Sequence, residues 1–139
     1  MLETILAISG KPGLYRLVSH GNRSLIVESL DALKKRTPIF GMDKVISLAD
    51  IAMYTDEEDI PLRLVLQSIL DKENAQKVDL DVKKATRDQL FDYMGTVLPN
   101  FDRDRVYPAD IKKLIQWYNI LIENNLTDFS DPEQQATEE

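Results

Sequence analysis

The sequence contains no cysteine and only one histidine, and both shortages exclude kinds of chemistry. Without cysteine the chain forms no disulfide, no thiolate metal site and no thiol nucleophile. A serine–histidine–aspartate triad would depend on His20, which lies in a predicted hairpin turn, where nothing buried positions an imidazole as a general base. We therefore expect a protein that is not an enzyme and has no catalytic residues.

Long apolar runs are also missing. No stretch approaches the roughly 20 apolar residues that a membrane-spanning helix needs. Residues 1–8 carry Glu3, lack a basic start and contain only a short apolar stretch, which is not the pattern of a secretory signal. The expectation is a cytoplasmic protein with no membrane partner.

Two ligand-binding motifs are incomplete. Gly10 and Lys11 resemble part of a phosphate-binding loop, but Pro12 stands where that loop requires serine or threonine. Residues 102–107 begin like a calcium loop, but a valine takes a ligand position and a tyrosine the obligatory glycine position. The acids at 56–59 are better explained as a solvated helix start. The sequence thus predicts no cofactor and no metal site.

The composition is that of a folded globular protein, with 139 residues, 43% hydrophobic and 29% charged. This length fits one domain or two very small ones, and each half alone would bury little apolar surface. The pattern changes at the acidic residues 56–59, which predicts one part at 1–58 and a second at 59–126. A disordered acidic tail is predicted at 127–139. The two parts are expected to pack on each other or on a partner.

Short β-rich runs separated by turns dominate residues 1–58. Strands are predicted at 14–19, 24–30, 36–40 and 51–55. His20–Arg23 is predicted to be a hairpin turn, and Pro38 places the third strand at an edge or a bulge. Residues 2–8 are predicted to form one or two helical turns. Four short strands with tight turns favour a small closed β-barrel, because closure removes exposed edges.

Helical spacing of apolar residues begins after the acidic residues. Helices are predicted at 61–73, 86–98 and 108–124. Asp59 is expected to cap the first, and Thr86 with Gln89 forms a capping box for the second. Between them Val78, Leu80 and Val82 alternate, which allows a strand. The predicted fold class is therefore α+β, with a small β-barrel followed by an α-helical domain.

The last predicted helix has an unusually wide apolar stripe. Trp117 and Ile120 widen the stripe beyond one face, so the helix is expected to be buried on more than one side. Two helices alone do not enclose such a stripe. It is therefore predicted to be an anchor between the two halves or between protomers.

The net charge of −7 is unevenly distributed. Residues 1–55 carry seven basic against five acidic residues, and the remainder carries ten basic against nineteen acidic residues. Two interpretations stay open. The basic half meets a partner of opposite charge such as nucleic acid, or a small positive excess on a small domain is simply ordinary.

Five basic residues on or beside the predicted hairpins form the candidate binding site: Arg16, Arg23, Lys34, Lys35 and Arg36. Cations bind phosphates and nearby rings stack on bases, so this set predicts RNA binding through a basic face of the barrel. For the nearby Tyr15 and Phe40, a place in the core is the better interpretation. For the run 34–36, a solvated loop is an equal alternative. The alternative function is a protein–protein interaction module, and the acidic helical part favours a protein partner or a homo-oligomer.

Three segments carry a likeness to a known family: ISGKPGLYRLV at 8–18, RTPIFG at 36–41 and YPADIKKLIQWYN at 107–119. They resemble a family of short Bacteroidetes proteins built from two adjoining domains of unknown function. The likeness covers nearly all of the chain except the acidic tail. It implies an SH3-like or Sm-like barrel followed by a helical domain, and a role in RNA binding. It implies no particular catalytic or binding residues.

Overall fold

The computed structural model describes residues 4–8, 13–31, 34–40, 45–127 and 129. Within these residues the fold is α+β, with a five-stranded sheet, a two-stranded sheet and three α-helices. The strands are β1 (Ile5–Ile8), β2 (Tyr15–Gly21), β3 (Ser24–Ser29), β4 (Arg36–Phe40), β5 (Val45–Ser47), β6 (Ala52–Met53) and β7 (Ile60–Pro61). The α-helices are α1 (Leu62–Lys72), α2 (Arg87–Val97) and α3 (Pro108–Glu123), and a 3₁₀-helix (Leu48–Asp50) follows β5.

The larger sheet has two open edges. Its strands lie in the order β4-β3-β2-β1-β5, and every neighbouring pair is antiparallel. Between the edges β4 and β5 no pairing is formed by the described residues, so the predicted barrel closure is not confirmed. The third predicted strand is confirmed as β4, and its edge position suits Pro38, which has no N–H to donate to a further strand.

Residues 5–8 form a strand where helical turns were predicted. In the structure Leu6 and Ile8 pack in one buried cluster and Ile5 packs in another. A strand that is buried on both faces has apolar residues at successive positions, so its sequence lacks the alternation of a half-buried strand. Residues 2 and 3 of the predicted turns lie outside the described residues.

The sheet contributes to two cores. One face carries its own small cluster, formed by Leu6, Ile8, Val27 and Ile39. The N-terminal half also gives buried side chains to the large cluster of the helices: Ile5, Leu14, Leu30 and Leu48. The two halves therefore share a core, as expected from the small apolar surface that each half offers alone.

Strands β6 and β7 pair with each other and not with the larger sheet. Ala52 pairs with Pro61 and Met53 with Ile60, directly before α1. A strand does form within the predicted range 51–55, but the prediction that it joins the barrel was wrong. This strand pairs with β7, and the strand of the larger sheet that pairs with β1 on this side is β5. The division predicted between residues 58 and 59 falls inside the β6–β7 connection.

The predicted helices are confirmed to within one residue at each end. The Thr86 N–H donates to Gln89 Oε1 at 2.8 Å and the Gln89 N–H donates to Thr86 Oγ1 at 3.2 Å, which confirms the capping box. Asp59 does not cap α1, because Pro61 occupies the cap position and makes no side-chain hydrogen bond there. None of the helices in the described ranges is long and apolar enough to cross a bilayer.

Residues 74–85 form turns and no strand, although the alternation of Val78, Leu80 and Val82 allowed one. Val78 and Val82 are buried in the helical cluster, and Leu80 packs against it half-buried. The Val78 N–H donates to Asn119 Oδ1 on α3 at 2.8 Å. The alternation here reflects burial against helices and not pairing in a sheet.

Helix α3 is confirmed as an anchor between the halves. Ile120 lies beside Gly13, so that a Cβ at Gly13 would meet Ile120 Cδ1 at an ordinary contact distance of 3.9 Å. Asn124 Nδ2 donates to the Leu30 carbonyl at 3.5 Å. Beyond α3, Phe129 falls within the predicted disordered tail but is only 2% exposed. The rest of that tail after Phe129 lies outside the described residues.

Candidate nucleic-acid interface

Two arginines and a glutamate lie side by side across three strands. Arg16 on β2 is opposite Glu28 on β3, and Glu28 is opposite Arg36 on β4. Opposite residues of antiparallel strands project from the same face, so the three form a row across the sheet. Val27 next to Glu28 is buried in the small cluster, so the row occupies the opposite face. We call this the outer face of β2–β4.

The row contains one ion pair. Arg36 Nε donates to Glu28 Oε2 at 3.3 Å, and the Arg36 side chain stays largely exposed. An exposed pair of this kind contributes about 0–1 kcal/mol to stability. Glu28 also lowers the positive potential between the two arginines, and this weakens the attraction of the row for a polyanion.

Lys34 and Lys35 lie directly before β4, and hydrogen bonds hold their backbone N–H groups. The Lys34 N–H donates to Asp31 Oδ1 at 3.1 Å, and the Lys35 N–H donates to Ser29 Oγ at 2.9 Å. The Ser29 hydroxyl in turn donates to Asp31 Oδ1 at 2.9 Å. These bonds fix the backbone while both lysines remain exposed, directly before Arg36.

Arg23 lies at the other end of the sheet. The β2–β3 hairpin is confirmed, but its loop is shorter than the predicted turn at His20–Arg23: His20 and Gly21 belong to β2, and only Asn22 and Arg23 form the loop, because Gly21 pairs with Ser24. Arg23 has a φ of 66°, in the left-handed region that is unusual for a side chain of this size. The length of β3, roughly 17 Å at about 3.3 Å per residue, separates it from Lys34–Arg36. The structure therefore brings Arg16 to the same end of the sheet as Lys34–Arg36, with Glu28 of β3 between Arg16 and Arg36, and leaves Arg23 at the opposite end.

A cavity of about 370 Å³ opens beside Arg23, at the same end of the sheet. Its walls include His20, Arg23 and Phe40 together with Val45 from the opposite edge strand. Phe40 is 61% exposed, so its predicted place in the core was wrong. Tyr15 does pack against the small cluster, as predicted.

Ion pairing distinguishes the predicted site residues from one another within the part of the chain that the structure describes. Among the described residues four of the five form no ion pair: Arg16, Arg23, Lys34 and Lys35. All four are exposed. The neighbouring carboxylates within the described chain are Glu28, which lies opposite Arg16, and Asp31, which accepts from the Lys34 N–H, and neither forms an ion pair with these four side chains.

The acidic residues 56–59 are attached to the helical half. The Asp56 N–H donates to the Asn100 carbonyl at 3.0 Å, and Asn100 Nδ2 donates to Asp56 Oδ1 at 3.2 Å. The buried Thr55 hydroxyl donates to the Glu58 carbonyl at 2.6 Å and accepts from the Glu57 N–H at 3.0 Å. This turn is fixed against the connection between α2 and α3, so these acids and the unpaired bases belong to different elements.

The tyrosine and aspartate side chains with shifted pKa values also lie in the helical half. Burial raises the pKa of Tyr118 to about 12, and its hydroxyl donates to the Gln76 carbonyl at 2.6 Å. Burial likewise raises the pKa of Tyr93. A hydrogen bond from Arg105 at 2.7 Å lowers the pKa of Asp102. These shifts come from packing and pairing around the helices. In the described ranges no three histidine, aspartate or glutamate side chains gather as a metal site.

Two features were missed by reasoning from the sequence. Alternation along β3 places Glu28 on one face, but only the pairing register puts it between Arg16 and Arg36. The second feature is a small apolar pocket beside Trp117 on α3. The widened stripe of α3 was a signal for it, although the stripe alone does not separate core positions from pocket walls.

Comparisons with known proteins match both halves of the chain. A family model for the domain of unknown function DUF5606 matches residues 2–48, and one for the domain of unknown function DUF6852 matches residues 51–121. The curated proteins give no match. A solution NMR structure of a structural genomics target from Bacteroides vulgatus is 59% identical to this chain, with a TM-score of 0.77. The match covers 93% of this chain and 91% of that chain.

The predicted resemblance to a Bacteroidetes family of two adjoining domains is thereby confirmed at the level of the family. Both domain matches and the Bacteroides vulgatus structure agree on it. The chain belongs to the family in which a DUF5606 domain is followed by a DUF6852 domain.

Proposed function

We propose that this protein is a non-catalytic, cytoplasmic RNA-binding protein that holds single-stranded RNA on the outer face of β2–β4. The observation that carries the proposal is that the exposed Lys34 and Lys35, directly before Arg36, and the exposed Arg16 two strands away form no ion pair among the described residues. Phosphates are the natural partners of such charges, because binding releases counterions from the nucleic acid.

The second support is an exposed ring at the far end of the same face. Phe40 is opposite Ser24 and two residues from Pro38 on β4, so its position alternates onto the outer face with Arg36. About 13 Å of strand separates Arg36 from Phe40 at ~3.3 Å per residue. A single strand that follows β4 would place phosphates near Lys34–Arg36 and stack a base on Phe40, with Arg23 beside it. Stacking on an aromatic side chain tolerates any base, so little sequence preference is expected.

The charge of the whole chain opposes this role, and the distribution of charge favours it. A chain with net charge −7 repels a polyanion on average. The acids of residues 56–59 are held by the helical half, and the unpaired bases belong to the sheet. Local potential decides binding at distances within about 10 Å at moderate salt, since charges further away are screened.

We further propose that the five strands form a half-open SH3-like or Sm-like barrel. Ile39 near one edge and Val45 at the other pack on the same small cluster and line the same cavity. Edges that approach without pairing are what a strongly bent sheet of this strand order produces. The groove between them would admit the base or sugar that follows Phe40.

The proposal is tested by fluorescence anisotropy with a labelled uridine oligomer of about ten nucleotides, within the usual site size of small single-strand binders. The double variant Lys34→Ala/Lys35→Ala is compared with wild type at two salt concentrations. Each phosphate contact that is lost lowers the slope of log affinity against log salt by about 0.7–1, so a decrease of up to about 2 is expected.

A matched control exists in the helical half. Lys83 and Lys84 are also adjacent, exposed lysines, and the variant Lys83→Ala/Lys84→Ala removes the same charge from the chain. Wild-type affinity in this control, together with a reduced slope in the first variant, supports the proposal. Equal losses in both variants, or no binding by wild type at low salt, would overturn it.

A further inference from the structure

A small pocket lies between the β6–β7 pair and α3, far along the chain from the basic residues of the sheet. It measures about 150 Å³, and its wall is mainly apolar, with Met53, Leu62, Leu114 and Trp117 among the lining residues. Met53, Leu62 and Leu114 are buried, whereas Trp117 is only half-buried. The pocket is thus an indentation in the large core and not a gap between mobile surface side chains.

Its volume limits the group that fits. A cavity of about 150 Å³ accommodates a molecule the size of benzene. One branched aliphatic side chain or one aromatic ring therefore fills it, whereas a nucleotide does not. The apolar wall favours a group without charge, because a charge would lose its hydration with little compensation.

Two aromatic side chains line the pocket, the exposed Tyr54 and the half-buried Trp117. Tyr54 lines the pocket and is 43% exposed, and Arg105 stacks over its ring at 4.6 Å. Exposed tyrosine and tryptophan around an apolar pocket are the composition of an anchor site for a protein partner.

The two charged lining residues, Asp110 and Lys113, balance each other, and the negative excess near the pocket comes from acids that follow Tyr54 along the chain. Asp110 lines the pocket, and the residues that follow Tyr54 are the four exposed acids of 56–59. Arg105 is held by Asp102, with Nε at 2.7 Å from Oδ2, so its charge is largely compensated. Lys113 is the one cation among the lining residues. A partner with basic residues is complementary to this surface, and an acidic one is repelled.

We propose that this pocket is a docking site for a basic peptide segment of a protein partner. An apolar side chain of the segment enters the pocket, and flanking arginine or lysine residues lie over Asp110 and the acids of 56–59. This site is separate from the outer face of β2–β4, and it does not depend on RNA binding.

The test uses three blocked tripeptides that differ in one property each, followed by ¹H–¹⁵N correlation spectra of the full chain. The probe is acetyl-Arg-Leu-Arg-amide. Acetyl-Arg-Ala-Arg-amide removes the anchor, and acetyl-Glu-Leu-Glu-amide reverses the charge. The arginine–leucine peptide is expected to shift the amides of 52–54 and 106–114 in a saturable way. The alanine peptide is expected to bind about tenfold more weakly, equivalent to ~1.4 kcal/mol, and the acidic peptide more weakly still.

Two matched variants distinguish binding in the pocket from nonspecific binding of the peptide elsewhere on the surface. Ala52 is an exposed lining residue, so Ala52→Leu fills the mouth without removing core packing, whereas Ala49→Leu adds the same group on the exposed 3₁₀-helix outside the pocket. Loss of the shifts in Ala52→Leu alone supports the proposal, provided that the spectrum of this variant remains that of the folded chain. Equal shifts with all three peptides, no shift at millimolar peptide, or equal effects of the two variants would overturn it.

Discussion

The two halves of the molecule use their basic residues in different ways. In the helical half several cations serve the fold itself: Lys77 pairs with Glu123 at 2.6 Å, and Lys72 lies 4.8 Å from the ring centre of Tyr93. Arg103 stacks on Phe101 in the same manner at 4.4 Å. In the sheet half, Arg16, Arg23, Lys34 and Lys35 have no ion-pair partner in the described chain. Charges that do not stabilise the fold are available to a ligand. Lys83 and Lys84 of the helical half are exposed as well, but that half carries ten basic against nineteen acidic residues, whereas residues 1–55 carry seven against five, and we therefore assign RNA to the sheet.

The largest effect is expected in the core that the halves share. Leu66 on α1 is fully buried in the large cluster, so Leu66→Ala should lower the free energy of unfolding by about 2–5 kcal/mol. Leu64 on the same helix is 41% exposed, and Leu64→Ala should cost less than about 0.5 kcal/mol. Chemical denaturation measures both. Because Ile5 and Leu14 belong to the same cluster, sheet and helices should unfold in one transition. Two separate transitions would show that the halves unfold independently, which would contradict a shared core.

A pH effect should be confined to the helical half. The pKa of Tyr118 is raised to about 12 in the folded chain, above its ordinary value of about 10. The folded state therefore keeps a proton that the unfolded state loses, so the stability is fully present below about pH 10 and declines as the pH rises toward 12. Alkaline denaturation followed by circular dichroism should show this decline.

Two variants isolate the tyrosine responsible. Tyr118→Phe should weaken the decline while lowering stability at neutral pH, because the hydrogen bond to the Gln76 carbonyl is lost. The exposed Tyr107 provides the control for the loss of a hydroxyl, and Tyr107→Phe should leave the stability at neutral pH nearly unchanged. If Tyr118→Phe and wild type lose stability equally as the pH rises, the assignment of this effect to Tyr118 is contradicted.

Two exposed aromatic rings, one in each half, test whether RNA binds to the sheet half alone. Phe40 is 61% exposed in the sheet and Tyr107 is 63% exposed beside α3. Phe40→Ala should weaken RNA binding by about 1–3 kcal/mol, the usual worth of stacking one base. Tyr107→Ala should not change RNA affinity. Anisotropy titrations with the uridine oligomer compare the two, and equal losses would remove Phe40 from the proposed site.

The smallest effect concerns the acid between the two arginines. Glu28→Gln removes a negative charge from the middle of the outer face, so RNA affinity should rise modestly and its salt dependence should steepen. Stability should change by less than about 1 kcal/mol, because the pair with Arg36 is exposed. Unchanged affinity in this variant would place the RNA away from the row.

The helical half was predictable from sequence because its signals are local. The capping box at Thr86 and Gln89 and the Pro108 start depend on neighbouring residues only, and each helix was found to within one residue. In the sheet half the hairpin and β4 were also predictable, from turn chemistry and Pro38. Strand β1 was not, because burial on both faces erased its alternation.

The sequence predicted which basic residues are exposed at the candidate site, but it did not predict how these residues are arranged in space. The five basic residues are exposed, yet Arg23 lies at the other end of β3 from Lys34–Arg36. That separation depends on which residues form the hairpin loops and on the register between strands. Phe40 was misplaced for a related reason, because β4 is an edge strand and its last residue meets solvent on the outer face.

The most direct measurement maps RNA on the folded chain by ¹H–¹⁵N correlation spectra during titration with the uridine oligomer. We expect shifts at β2–β4, at Lys34 and Lys35 before Arg36 and around Phe40, with α2 and α3 unaffected. These shifts should disappear at high salt, since they depend on phosphate contacts. Shifts confined to the helices, or a spectrum that RNA leaves unchanged at low salt, would contradict the claim that the sheet half binds nucleic acid.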